Sequence, residues 1–539
     1  MKKNNFFNWR FFVIIITIFF ISFAIVWKLF DIQVTDKEFL ENEGEKKYIT
    51  YKNIKPIRGT IYDKNGFPLA ISTVSYDLYA LKDYPKTKHK LLRDRLGLKI
   101  DFPSSGFDKK TLIKKNLDIN QINSIKSLKH NKLEIERRYV RHYPLGEQIA
   151  PLIGFSGKDG IGQEGVEFIY DNSLSGKEGN EKYYKNAKQE IISKPIVLNI
   201  PEDGQDIYLT IDATIQFYAY KYLVESIKNN NAKGGSVVIL NNKTSEVLAV
   251  ASYPSYNPNS ANRKIQRNRV FLDSYEPGSV LKPITISEAI HQGIYEIDTY
   301  LAVPQKILIN GKQISDIKKY EELTVAEIIS NSSQVGASKI ALDLGFDNIA
   351  KTYKKFGFSK PQSIGFPSES FGYINMRENI SDHEIASLGF GYGITANPFQ
   401  IAVAYSVFAN EGMLHNFNLI KNDDLQFEPI RVISSDAAQA ILNALNQVIE
   451  DGTGKLAKTK YKSGGKTGTA HKIRGNGYAK DLYISSFVGI TPIDEKLLTI
   501  FVNIDEPDLN AYSGGDVAAP LFSKIAQNTL EYLEVSNEE

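Results

Sequence analysis

The sequence predicts an α+β fold. A large body over residues 204–539, an antiparallel sheet with helices, follows an elongated mixed strand-and-helix module over 31–203 and one N-terminal membrane-spanning helix over 11–30. Three observations predict it. The 17 residues from Phe11 to Trp27 carry no charge. Residues 31 to about 200 are rich in charge and in Gly and Pro turn signals. In the body, strand-like pairs stand at both ends with mostly helical pattern between them, which argues a sheet closed by segments far apart in the chain.

The apolar run is longer than the core of a cleaved signal peptide, and Val26-Trp27-Lys28 offers no small-x-small cleavage site. At about 1.5 Å per residue it spans a thin hydrocarbon layer. Trp9 and Trp27 bracket it as interface residues do. Lys2, Lys3 and Arg10 precede the span and Lys28, Lys37, Lys46 and Lys47 follow it, so charge alone leaves the orientation open. Residues 1–10 are expected to stay inside as a short cytoplasmic tail, and the 512 residues after Trp27 to cross as one translocated body.

In the module, Gly59-Thr-Ile-Tyr-Asp-Lys-Asn-Gly66 carries an Asn-Gly hairpin signal, and a second Gly-rich stretch runs from Gly154 to Gly179. The body opens with a short strand, Ile207–Ile211. Asp212 then caps a helix in which Ile215, Ala219, Leu223 and Ile227 recur every four residues. Ser236–Leu240 with Val247–Ser252, and Ser486–Ile490 with Leu498–Ile504, read as strand pairs. Glu327–Leu344, Asn397–Ala409 and the amphipathic Leu521–Val535 read as helices.

Composition narrows the chemistry. The 65 Lys and Arg against 62 Asp and Glu leave 65 − 62 = +3, too balanced for a protein devoted to nucleic acid. With no cysteine, thiol catalysis and thiolate zinc sites are excluded, and the 7 His stand at no ligand spacing, so neither metal nor cofactor is expected. A covalent enzyme then needs a Ser or Thr nucleophile with a Lys base, which Ser-x-x-Lys sets one helical turn apart. Three such pairs occur: Ser279/Lys282, Ser315/Lys318 and Ser463/Lys466. Ser315 lies in a polar run that reads as solvated surface. Ser463 precedes two Gly, which disfavour helix. Ser279 follows Pro277-Gly278 and leads into Val280, Leu281, Ile284 and Ile286, a helix start whose amides and dipole point outward.

Lys466-Thr467-Gly468-Thr469 reads as a strand of outward Lys and Thr, with Gly admitting a substrate backbone and Lys466 available to a carboxylate. An isolated Lys-Thr-Gly is otherwise an ordinary turn. Ser332-Ser333-Gln334 stands 53 residues after Ser279 and 134 before Lys466, inside the helical pattern Ala326, Ile329, Ser333, Gly336, Ile340. A polar triplet there is otherwise a cap or a satisfied core group.

In order and spacing these elements resemble the Ser-x-x-Lys, Ser-x-Asn and Lys-Thr-Gly set of penicillin-binding proteins and serine β-lactamases. Arg58–Gly66, Gly162-Gln-Glu-Gly-Val-Glu167, Tyr275–Pro283, Gly389–Gly393, Ser486–Gly489 and Tyr512–Pro520 extend the resemblance to the class B penicillin-binding proteins, from the anchor to about residue 526. The short spacing from anchor to Arg58 looks more like the septal (FtsI) branch than the elongation branch. The resemblance implies a penicillin-binding fold for 204–539, a non-catalytic pedestal of dimerisation type for 31–203, and peptidoglycan D,D-transpeptidation on stem peptides ending in D-Ala-D-Ala. Ser279 would attack, Lys282 act as base and Ser332 shuttle a proton to the leaving D-Ala. Lys466, Thr467 and Thr469 would hold the terminal carboxylate, Gly468 and Gln334 would line the substrate site, and the amides of Ser279 and Thr469 would form the oxyanion hole. It also implies inhibition by β-lactams, a bacterial cytoplasmic membrane with the catalytic domain on its outer side, and an FtsW-type glycosyltransferase with other division proteins as partners. The family has Asn where Gln334 stands. The competing readings are an elongation-type enzyme, a membrane-anchored β-lactamase or β-lactam sensor, and a catalytically idle wall-binding scaffold.

Overall fold

The computed structural model describes residues 9–97, 102, 107–187, 191–362, 364–377, 379–421, 428–475 and 477–535. The cytoplasmic tail expected over 1–10 therefore lies outside the described residues apart from Trp9 and Arg10. The chain forms two compact units, one of residues 1–57 with 175–204, the other of 58–174 with 205–539. The module expected over 31–203 is thus shared between them.

In the first unit the apolar run folds as a helix, Trp9–Phe30, of 22 residues with none buried. At about 1.5 Å per residue it reaches roughly 33 Å, long and apolar enough to cross a membrane. One π-helical turn, Asp31–Thr35, leads into the helix Lys37–Tyr48. Strands Ile49–Ile54, Gly179–Tyr184 and Ile196–Asn199 pair antiparallel in that order.

The second unit begins with the Asn-Gly hairpin. Asp63 Oδ1 accepts from the amides of Asn65 (2.8 Å) and Phe67 (2.7 Å), Gly66 turns at φ +85°, and Ile61–Tyr62 pairs antiparallel with Pro68–Ala80. Ile61–Tyr62 also pairs in parallel with Ile207–Tyr208, so the strand expected over 207–211 is shorter, with Leu209 bridging to Ile420 instead. Asp63 Oδ2 accepts from the Ala213 amide at 3.0 Å, so this turn also receives the start of the next helix. That helix, Ala213–Asn229, is capped by Asp212 and buries Ile215, Ala219, Leu223 and Ile227, the periodic set.

The central sheet has five strands: β1 (Gly234–Asn241), β2 (Glu246–Tyr253), β3 (Gly464–Arg474), β4 (Gly477–Thr491) and β5 (Leu498–Asp505). Their order is β2-β1-β5-β4-β3, all antiparallel, and β1 pairs with β5 from the far end of the chain. Val237 and Ile239 pack with Leu223, Phe522 and Ile525 on one face, while Val238 and Leu240 pack with Ile284, Ile401 and Phe501 on the other. A strand covered on both faces needs a continuous apolar run, which is why Ser236–Leu240 does not alternate. β3 forms the edge of the sheet, where the Lys466 segment lies.

One expected element breaks. The helix read over Glu327–Leu344 is two helices, Val325–Ser330 and Gln334–Leu344. Between them Ser332 takes φ +58°, and Ser333 caps the second helix through Gly336 N→Oγ at 2.9 Å. Side-chain hydroxyls that satisfy amides at a new helix start compete with continuation of the old one.

Candidate active site

Ser279 lies in a single 3-10 turn, Gly278–Leu281, that runs into the helix Lys282–His291, so Ser279 and Lys282 sit one turn apart at a helix start. The preceding loop is pinned to the segment 391–396: Gly278 N donates to Gly391 O at 3.1 Å, and Tyr275 exchanges backbone bonds with Ala396. Gly391, at φ +91°, lies so close that a Cβ there would meet Gly278 O at 2.1 Å. The Gly389–Gly393 segment therefore packs directly on the turn that bears Ser279. Ser279 is half-buried, and among the described residues its Oγ has no hydrogen-bond partner.

Lys282 and Lys466 are fully buried and converge on one hydroxyl. Ser332 Oγ lies 3.1 Å from Lys282 Nζ and 2.9 Å from Lys466 Nζ, and Lys282 also donates to Ser332 O. The left-handed turn at Ser332, which splits the expected helix, belongs to the residue that carries this hydroxyl. Lys466 was expected on an outward face; it instead donates to Ser332 and to Thr467 O (3.1 Å). Burial pulls the Lys282 ammonium down to about 7, against a smaller upward pull from the Asp316 carboxylate. Lys466 is held well below the ordinary lysine range, first by burial and then by the Lys282 charge. Desolvation disfavours the charged form and a neighbouring cation adds to it, so a neutral amine is available here near neutral pH.

The rest of the motif lies along β3. Thr467 Oγ1 pairs with Thr453 Oγ1 at 2.8 Å, and Thr469 Oγ1 accepts from Gly514 N at 2.9 Å, which ties β3 to the Tyr512–Pro520 segment. Gly468 was expected to admit a substrate backbone. A Cβ there would meet Ser486 Oγ at 2.5 Å and Val280 Cγ1 at 2.9 Å, so its smallness first lets β3 lie against the turn Gly278–Leu281. Of the other Ser-x-x-Lys pairs, Ser463 is buried against Tyr461 O and Thr491 Oγ1, while Ser315 is exposed at a strand end.

Two residues that the sequence reading passed over shape the site. Asp316, inside the polar run taken as surface, is buried and accepts from Ser333 Oγ (2.5 Å), Gln334 N (2.5 Å) and Val335 N (3.2 Å), fixing the turn that presents Ser332. Glu276 is buried three residues before Ser279. Gln334 and Glu276 both line a cleft of about 540 Å³. Gln334 is held by its backbone amide on Asp316, and its side chain, one methylene longer than Asn, reaches into that cleft. Because the backbone anchor does not involve the side chain, Gln334→Asn is expected to leave the β-lactam acylation rate within about tenfold, read by stopped-flow labelling. A complete loss would mean that the pocket is built around the longer side chain.

Residues 235–527 match the penicillin-binding protein transpeptidase domain and residues 53–209 the penicillin-binding protein dimerisation domain. The chain is 35% identical to the probable peptidoglycan D,D-transpeptidase PbpC of Pseudomonas aeruginosa, across 98% of this chain and 96% of that protein. It is 30% identical to the peptidoglycan D,D-transpeptidase FtsI of Escherichia coli K12, across 99% and 93%. The crystal structure of penicillin-binding protein 3 from Mycobacterium tuberculosis, complexed with aztreonam, superposes with a TM-score of 0.71 at 25% identity, covering 90% of this chain and 98% of that one. With both domain models matched in order and relatives aligned over nearly their whole length, the chain belongs to the class B penicillin-binding proteins.

Proposed function

We propose that this class B penicillin-binding protein, a peptidoglycan D,D-transpeptidase, cross-links stem peptides at the division septum through an acyl-enzyme on Ser279. The observation that carries the chemistry is Ser332 Oγ held between two buried lysines, 3.1 Å from Lys282 Nζ and 2.9 Å from Lys466 Nζ, beside the turn that bears Ser279. Lys282, neutral near pH 7, takes the Ser279 proton as Oγ attacks the carbonyl of the penultimate D-Ala. The amides of Ser279 and Thr469 receive the oxyanion. When the C–N bond breaks, Ser332 relays a proton to the departing D-Ala amine. Lys466, Thr467 and Thr469 hold the terminal carboxylate, with Gly468 and Gln334 lining the same site. An amine from a neighbouring stem then resolves the ester, and a β-lactam takes the place of the donor in the first step.

The septal assignment is supported by relatives named FtsI and by the short spacing from the apolar helix to Arg58. It implies residues 1–10 inside the cell, 11–30 in the cytoplasmic membrane, 31–203 as the non-catalytic module and 204–539 as the catalytic domain outside, with an FtsW-type polymerase and other division proteins as partners. The test is covalent labelling of the detergent-solubilised full chain by a fluorescent penicillin. A long-lived adduct mapped to the Ser279 peptide is expected. Absence of labelling would sink the assignment, and turnover within seconds would favour a β-lactamase instead.

A further inference from the structure

Glu276 is a buried carboxylate with half of its hydrogen-bonding capacity unused. It is 8% exposed, and its Oε1 accepts from Gly393 N at 2.8 Å. Its Oε2 is buried with no partner in hydrogen-bonding geometry among the described residues, although the Tyr478 hydroxyl stands near enough to the carboxylate to pull its pKa down against burial. A buried anion with an open oxygen is costly unless a cation or donor arrives to meet it. Burial raises the pKa of Glu276, and its charge helps burial to push Tyr478 upward, so the Tyr478 ring stands close to the carboxylate. Tyr478 meets Tyr392 edge to face at 5.6 Å. Glu276, Tyr392 and Tyr478 all line the cleft that Gln334 also lines. The other carboxylate lining it, Glu384, is occupied by Ser381, whose helix it caps, and by Arg377.

From this we infer that Glu276, walled by Tyr392 and Tyr478, receives the acceptor's ammonium group: the carboxylate takes one proton, the freed amine forms its bond to the acyl carbon as the bond to Ser279 Oγ breaks, and a second amine proton returns to Ser279 Oγ through Lys282. The inference rests on the transpeptidase reading and adds where the second substrate binds. An aliphatic amine arrives protonated, with an ordinary pKa of about 10.4. A desolvated carboxylate flanked by aromatic faces is matched to such a cation by ion pairing and cation–π attraction. Position agrees: Glu276 lies three residues before Ser279, on the loop that Gly391 and Ala396 hold rigid. The lysines of the donor side leave no carboxylate free among themselves, because Asp316 is taken up by the Ser333 hydroxyl and two amides.

The experiment uses the full chain in detergent with a D-alanyl thioester donor and two nucleophiles near neutral pH: Nα-acetyl-lysine amide, which is cationic, and hydroxylamine, which is not. Aminolysis and hydrolysis products arise from one acyl-enzyme, so their ratio is blind to how fast that intermediate forms. Glu276→Gln keeps the shape and the bond to Gly393 N while removing the charge. It is expected to lower the aminolysis-to-hydrolysis ratio at least tenfold for the lysine derivative and to change it less than threefold for hydroxylamine. Glu276→Asp, which keeps the charge, is expected to retain the preference for the cation. An unchanged ratio in Glu276→Gln, or an equal loss for both nucleophiles, overturns the acceptor site alone. A wild-type protein that never reacts with the thioester overturns the transpeptidase reading and this inference with it.

Discussion

Lys282→Ala is expected to slow penicillin acylation of Ser279 by about 10³-fold, within the range that a positioned general base contributes, while Ser279→Ala abolishes it. The expectation follows from two observations on one nitrogen. Lys282 is fully buried one helical turn from Ser279, and burial brings its pKa to about 7. Only the neutral amine can accept the serine proton. The wild-type acylation rate should therefore climb as pH is raised through about 7 and level off above it. The residual rate of Lys282→Ala should lose that inflection, since the group that titrates there is gone. The Lys282 charge, after burial, holds Lys466 well below the ordinary lysine range. The readout is the second-order acylation constant across pH. A Lys282→Ala variant that keeps both the rate and the inflection would assign the base role to another group.

Periodic elements and local chemistry were legible in the sequence. Four apolar residues at helical spacing behind Asp212 specified a capped helix, and Asn65-Gly66 specified a hairpin, because in each case the interactions lie within a few residues of one another. The candidate site was legible for a different reason: Ser279, Ser332 and Lys466 stand in a pattern that resembles the family's, and the fold brings Ser332 and Lys466 together across 134 residues. What local pattern could not show was long-range. Asp316 looked like surface because it stands in the polar run 313–319, whose Ser315, Ile317 and Lys318 are exposed. Its burial comes from the turn at Ser332 folding back over it, the same event that split a helix whose apolar spacing ran on without a break. Glu276 likewise gains its burial from residues 391–396, more than a hundred positions away. Lys466 showed the limit of alternation as a guide: on an edge strand it is nonetheless fully buried and reaches Ser332.

Glu167→Ala is expected to cost about 3–5 kcal/mol, the range for removing one partner from a buried ion pair, and to lower the melting temperature accordingly. Glu167 is completely buried. It accepts from Arg58 Nε at 2.6 Å, Arg141 Nε at 2.7 Å and the Tyr143 hydroxyl at 3.2 Å. Arg58 also reaches Asp171 (2.6 Å), Gly160 O (3.0 Å) and Glu167 O (2.9 Å). The two motifs beginning at Arg58 and Gly162 are therefore the halves of one charge network, joined across 109 residues. Exposed ion pairs contribute little, but here the guanidinium groups are almost wholly out of water, and Arg141 would lose its only ion-pair partner among the described residues. Such a penalty arises from stranded charge more than from lost attraction, so Glu167→Gln, which keeps an acceptor oxygen, should also destabilise, by less than Ala. None of these residues belongs to the Ser279, Ser332 and Lys466 cluster. Penicillin labelling per folded molecule should accordingly survive in Glu167→Ala while the unfolding midpoint falls. An unshifted midpoint would mean that water or a local rearrangement neutralises the two arginines. Labelling lost in step with an intact fold would mean that the network acts on the active site rather than on stability.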